Sequence, residues 1–292
     1  MNTSAPSAPR LVPLAIFTTL VCWSSNFPTI RYILQFYDPL SMSVLRIFTG
    51  ALVLGVLGLT WRVGLPRWRD LPQFFLFGLV GILLATLFLN LGLAGVTAGS
   101  GAFLIGTVPV FAALLARLFL GEALALRAGL GITVSVGGIL LIAWGEGRGL
   151  HFSGTAGFVV GSALFQAIYY VFQKFPLRRY TPLQITCYAV WAGALWSLPW
   201  LAPALAAARS APLGATLAVI YLGFFPTALA FTTWAYALSH APAARVTSSL
   251  YALPLLAMSG AYLWLGELPP VLGLAGGFTA LAGVYLVHSA RR

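Results

Sequence analysis

Apolar residues fill this chain in long blocks, and the polar ones gather in short clusters between them. Ten blocks can be marked off, at 11–34, 40–61, 71–93, 98–120, 126–145, 154–175, 182–202, 212–238, 243–265 and 270–288. Most are long enough to cross about 30 Å of hydrocarbon at a helical rise of about 1.5 Å per residue. Turn signals separate them, including "YDPL", "LPRWRDLP", "RRYTP", "SHAPA" and "GELPP". Trp61, Trp68, Trp144, Trp200 and Trp264 fall near block ends, where amphipathic rings favour the membrane–water boundary. The first block, after Arg10, has the length of a signal-peptide core but no small-x-small cleavage site follows it, so it reads as a helix.

Composition agrees with the pattern. Of 292 residues, 60% are hydrophobic and 7% charged, with a mean hydropathy of +0.94. A soluble domain carries about 25% charged residues, so the chain reads as an all-α polytopic membrane protein of ten transmembrane helices. The net charge of +11 does not point to nucleic acid, because the basic residues sit in small groups between blocks. Arg62, Arg67 and Arg69 form one group, Lys174, Arg178 and Arg179 another, and Arg291 and Arg292 a third. Counting by side gives twelve basic residues with the termini and four opposite, Arg31 and Arg46 included. The positive-inside rule then places both termini in the cytoplasm. Cys22 and Cys187 lie within apolar blocks and suggest no disulfide framework.

The chain repeats itself. Pro109–Leu141 aligns without a gap on Pro254–Leu286, an offset of 145, with ten identities in 33 positions. The scarce residues carry the signal: Pro109 and Pro254, Gly121 and Gly266, Glu122 and Glu267. Elsewhere the match is fainter, as between "DPL" at 38–40 and "TPL" at 181–183. Halves of 1–148 and 149–292 hold five spans each, an odd number, so the second enters the membrane in the opposite sense. Two inverted five-helix repeats form a transporter architecture with substrate near the midplane. Both Glu122 and Glu267 precede the next helix, where its macrodipole favours negative charge, so each reads first as a turn and helix-start device.

With its late "P…LGE" turn in each half and the opening "CWSSNFPTIRY", the sequence resembles the EamA-type branch of the drug/metabolite transporter superfamily. In composition it is similar to the YddG-type exporters of aromatic amino acids. The resemblance implies a cavity lined by helices 1, 3, 4, 6, 8 and 9 and a place in a bacterial inner membrane. It also implies export as the direction of transport.

Polar side chains at membrane depth are costly and face protein or a watery cavity, which makes them the candidate substrate contacts. On helix 1 these are Ser24, Ser25 and Asn26, just before Pro28; on helix 3, Asn90; on helix 4, Ser100. Helix 6 offers Gln166, Tyr169, Tyr170 and Gln173, spaced to share one face. Trp234 on helix 8 and Ser248, Ser249 and Tyr251 on helix 9 complete the set. Small residues also serve tight helix packing and aromatics serve the lipid boundary, and those readings stand beside the functional one. Pro28, Pro109 and Pro254 are candidate hinges. Gly129, Gly131, Gly137 and Gly138 on helix 5 can meet a second protomer or the same one, which leaves a monomer or a weak homodimer.

All five carboxylates, Asp38, Asp70, Glu122, Glu146 and Glu267, lie in or beside loops, so a proton or sodium relay on a buried carboxylate is not expected. Arg31 and Arg46 are expected to pair with Asp38 or to reach for the interface. Nothing calls for a metal or cofactor, and no catalytic dyad is visible. The partners expected are the lipid bilayer and a small solute, with no nucleic acid. The reading is a carrier of small amphipathic metabolites, aromatic or hydrophobic amino acids foremost, moving them by alternating access without ion coupling. A nucleotide-sugar or other metabolite carrier of the same superfamily is the alternative.

Overall fold

The computed structural model describes residues 11–121, 126–147, 153–173, 175–176, 179–241, 246 and 249–289. Ten helical spans follow in order: α1 (Leu11–Ile33), α2 (Pro39–Thr60), α3 (Trp68–Leu93), α4 (Ala98–Phe119), α5 (Leu126–Gly145), α6 (Gly154–Phe172), α7 (Pro182–Ser210), α8 (Leu213–Trp234), α9 (Ser249–Leu265) and α10 (Val271–Ser289). The first eight are long and apolar enough to cross a membrane, and the last two are shorter apolar helices. The helical backbone of α8 runs on to His240.

One boundary differs from expectation. The seventh span, read as ending at 202, runs on: after a single 3-10 turn at Leu198–Trp200 the helix restarts as Leu201–Ser210. Pro199 and Pro203 both fall in the first turn of a helical segment, where no acceptor waits for the missing N–H, so neither ends the span.

The two halves repeat one another in backbone detail. A π-helical stretch interrupts α3 at Gly78–Leu84 and another interrupts α8 at Gly223–Leu229, again 145 residues on. In α8 the cause is visible. Pro226 has no N–H to offer the Leu222 carbonyl, and the Thr227 hydroxyl donates to it instead at 3.0 Å. In α4 the helix breaks at Gly106–Thr107 and restarts at Val108; in α9 a 3-10 turn at Ser249–Ala252 precedes the helix from Leu253. Pro109 and Pro254 are each the second residue of the new segment. The α4 and α9 helices stop at Gly121 and Gly266, both at φ 67° and ψ 14°, a left-handed cap that glycine adopts without steric cost.

Contacts between the halves repeat as well. A Cβ added at Gly131 would lie 2.6 Å from the Gly283 carbonyl oxygen, and one at Gly276 would lie 2.7 Å from that of Gly138. Gly276 is the counterpart of Gly131, and Gly283 of Gly138, so α5 and α10 cross about a pseudo-two-fold axis. Ser135 donates to the carbonyl of its own counterpart, Ala280, at 3.0 Å. Gly129 and Gly137 have open space where a Cβ would stand, so the four glycines of α5 divide between this crossing and the helix's outer side.

Candidate functional site

Four polar groupings lie between the halves. At the end opposite the termini, Arg31 of α1 reaches Glu267 in the α9–α10 turn. Its Nη2 is 2.6 Å from Oε1, and its Nε donates to both carboxylate oxygens at 3.0 and 3.2 Å. Arg31 Nη1 also donates to the Leu93 carbonyl at the end of α3, at 2.9 Å. The Ala98 amide donates to Glu267 Oε2 at 3.4 Å, while Glu146 accepts from the Thr97 amide and hydroxyl at 3.1 and 2.6 Å. Two carboxylates therefore meet the N-terminus of α4, where the helix dipole favours them. The expectations for these residues change. Glu267 serves a helix of the other half, not the helix that follows it, and Arg31 pairs with Glu267, not Asp38. Glu122 lies outside the described residues.

Asp38 has a local task. It caps α2, accepting from the Leu40 and Ser41 amides at 3.0 and 2.9 Å. Burial pushes its carboxyl up, but the hydrogen bonds from Ser41 and Leu40 outweigh that and hold it below the usual range.

The second grouping is the α1–α8 seam. Thr19 and Thr233 hydroxyls lie 2.7 Å apart, and so do those of Ser25 and Tyr221. Trp23 donates from Nε1 to the Pro226 carbonyl at 3.1 Å, a carbonyl set within the π stretch. Its ring lies 5.5 Å from Phe231 and 5.2 Å from Trp234, and Tyr221 stacks on Phe225 at 4.9 Å. Ser24 donates to the Val21 carbonyl and is buried. Pro28 lies within an unbroken α1 and touches the site of Gly260 on α9.

The third grouping, on α2, α3 and α8, was not anticipated. Asn90 donates from Nδ2 to Ser43 Oγ at 2.8 Å, and Arg46, one turn further along α2, donates from Nε to Thr227 Oγ1 at 3.3 Å. Arg46 is only 9% exposed. No carboxylate among the described residues pairs with it, and its Nη1 and the Oδ1 of Asn90 have no hydrogen-bond partner there. A charged side chain costs about 3 kcal/mol on insertion scales at the centre of a membrane helix, more than a neutral hydrogen bond of about 1 kcal/mol returns. The sequence did carry a signal, a lone arginine seven residues into an apolar block, but Asp38 nearby offered a simpler partner.

The fourth is the face of α6. The stripe expected there divides. Gln166 donates to Ser162 at 3.3 Å, which donates to the Ala85 carbonyl of α3. Tyr169 also meets α3, buried against Phe77 and Gly81, and lies beside Cys187 and Tyr188 of α7. With Gly81 and Phe172 it borders a small apolar cavity. Tyr170 packs by Val108 and Phe111 of α4. Gln173 caps α6.

The remaining candidates are apart from these groupings. Asn26 is buried on α1 with Oδ1 lacking a partner among the described residues. Ser100 is fully buried where α4 passes Gly273 of α10. Ser249 donates to the Val246 carbonyl at 2.6 Å, and Tyr251 packs against Val110, Ala113 and α10. Ser248 lies outside the described residues.

Comparison with known proteins places this geometry. A family described as the EamA-like transporter family matches residues 10–144 and 154–289, once for each half. A "Probable terminal-alkyne amino-acid exporter" of Streptantibioticus cattleyicolor is 38% identical over 94% of this chain and 92% of its own. An uncharacterized transporter of Bacillus subtilis, YdfC, is 34% identical over 91% of this chain and 87% of its own. A solved crystal structure shares the fold, with a TM-score of 0.62 at 19% identity over 94% of both chains. These relatives and this family are transporters, not enzymes. The chain is an integral membrane protein that belongs to the EamA-like transporter family.

Proposed function

We propose that the protein exports small, hydrophobic or aromatic amino acids across a bacterial inner membrane, with both termini in the cytoplasm. The observation that carries this reading is the α1–α8 seam, where Trp23, Tyr221, Phe225, Phe231 and Trp234 stand beside Ser25 and the Thr19–Thr233 pair. Flat apolar faces beside hydroxyls suit a solute with an apolar side chain and a polar head. The relative named as an amino-acid exporter, alike over nearly the whole of both chains, supports the same class.

The mechanism proposed is alternating access, with one half rocking against the other about the α5–α10 crossing. Pro109 and Pro254, each at a helix restart, are the proposed points of bending. Among the described residues the carboxylates Asp38, Asp70, Glu146 and Glu267 all lie at helix ends. That supports facilitated diffusion or exchange over proton coupling. A nucleotide sugar would ask for several cations around its diphosphate, whereas between the halves Arg31 is occupied by Glu267 and Arg46, among the described residues, has no second cation in its grouping.

Uptake into liposomes holding the purified protein tests the proposal. Labelled phenylalanine and propargylglycine should enter, a nucleotide sugar should not, and an imposed pH gradient should leave the rate unchanged. Entry of the nucleotide sugar alone would sink the reading.

A further inference from the structure

The third grouping has a counterpart in the other half, and the comparison isolates what is unusual about it. α2 packs on the π stretch of α8, with Gly50 against the Thr227 side chain and Gly223 against Thr49. α7 packs on the π stretch of α3 in the same way, with Gly193 against Ile82 and Gly78 against Ala192. Gly193 and Ala192 follow Gly50 and Thr49 by 143 residues, the "DPL"–"TPL" offset, and Thr227 follows Ile82 by 145. On those offsets the counterpart of the Arg46–Thr227 pair is Ala189–Ile82, and both of those residues are buried and apolar. The fold thus makes this interface twice, once without any charge. Packing does not require Arg46.

We propose that Arg46 holds the carboxylate of the transported solute, with the Asn90 side-chain oxygen beside it available to the solute's ammonium group. The proposal rests on the amino-acid reading above and names the residues that recognise the head group. A guanidinium whose Nε is held by Thr227 presents its remaining N–H groups as a planar fork, which matches a carboxylate. Asn90 is fixed through Nδ2 on Ser43, so its acceptor oxygen is the end left over. Both groups are buried in this conformation, so the solute reaches them when the halves part.

The test compares phenylalanine with phenylalaninamide, which keeps the ring and amine but lacks the carboxylate. Both are offered to liposomes carrying the wild type, Arg46→Gln, Arg46→Lys, or the double variant Arg46→Ala with Thr227→Ile. The double variant installs the apolar pair that the other half already uses, so it keeps a folded interface. Phenylalanine uptake should fall by about ten- to a hundredfold in R46Q and in the double variant, the value of a charge-assisted hydrogen bond, and less in R46K. Amide uptake should stay near its wild-type level in all three. Unchanged phenylalanine uptake in R46Q or the double variant overturns the proposal, and so does a parallel loss for the amide. If the wild type carries neither compound, the amino-acid reading fails and thermal stabilisation by pyruvate, succinate and inorganic phosphate decides the site. Stabilisation of the wild type but not R46Q by the carboxylates upholds Arg46 as a carboxylate site. Stabilisation by phosphate alone, or by nothing, overturns it.

Discussion

Arg31 Nη2 lies 2.6 Å from Glu267 Oε1, and the pair joins the first helix of one half to the last turn of the other, 236 residues away. The side chains are 26% and 22% exposed, so water screens them only in part. With two nitrogens on the carboxylate and further bonds to Leu93 and Ala98, the pair should exceed an ordinary surface bridge. In a double-mutant cycle on thermal unfolding in detergent, Arg31→Gln and Glu267→Gln should show a coupling of about 1–2 kcal/mol. Strict additivity would mean that the pair is geometric only.

The α5–α10 crossing predicts opposite outcomes for neighbouring glycines. Gly138 faces the Ala280 backbone, and an added methyl has nowhere to go; Gly137 faces open space. Gly138→Ala should destabilise by about 2 kcal/mol or more through overpacking. Gly137→Ala should be neutral or stabilise by about 0.5–1 kcal/mol through helix propensity. Melting temperatures of the two variants check this directly.

Asp38 gives the pH dependence a sign. Its folded carboxyl is held below the unfolded value of 3.8, so the stability it adds is present above that pH and is lost as pH falls through the folded value. Asp38→Ala should cost about 1 kcal/mol at pH 7, the usual worth of an N-cap. The gap between wild type and variant should close on acidification below the carboxylate range. A gap that persists in acid would remove the charge from the account.

Trp23 braces the seam from both ends, its N–H on the Pro226 carbonyl and its ring on Phe231 and Trp234. Trp23→Phe keeps the ring contacts and drops the hydrogen bond. It should lower phenylalanine uptake by about threefold to tenfold, in line with a lost hydrogen bond of about 1 kcal/mol. Trp23→Ala should lower it further and affect aromatic solutes more than propargylglycine. Equal losses across the panel would place Trp23 in structure alone.

The spans and the repeat were legible because their signals are local: apolar length, breakers and scarce residues at a fixed offset. The site was legible only as a set of costly polar positions along the spans. Which of them meet was not, because helical spacing places Tyr169 and Tyr170 on one face of α6 while Tyr169 packs on Phe77 of α3 and Tyr170 by Val108 and Phe111 of α4. Arg31 lies closer along the chain to Asp38 than to Glu267, and nothing local distinguishes the two carboxylates as partners. The sequence by itself determined ten apolar spans in two halves. The tertiary structure decided that Glu267 serves α4 and Arg31, and that Arg46 meets no carboxylate among the described residues. Pairing between distant side chains depends on how inverted halves cross, and that crossing is set by packing at α5 and α10, not by any stretch of chain read alone.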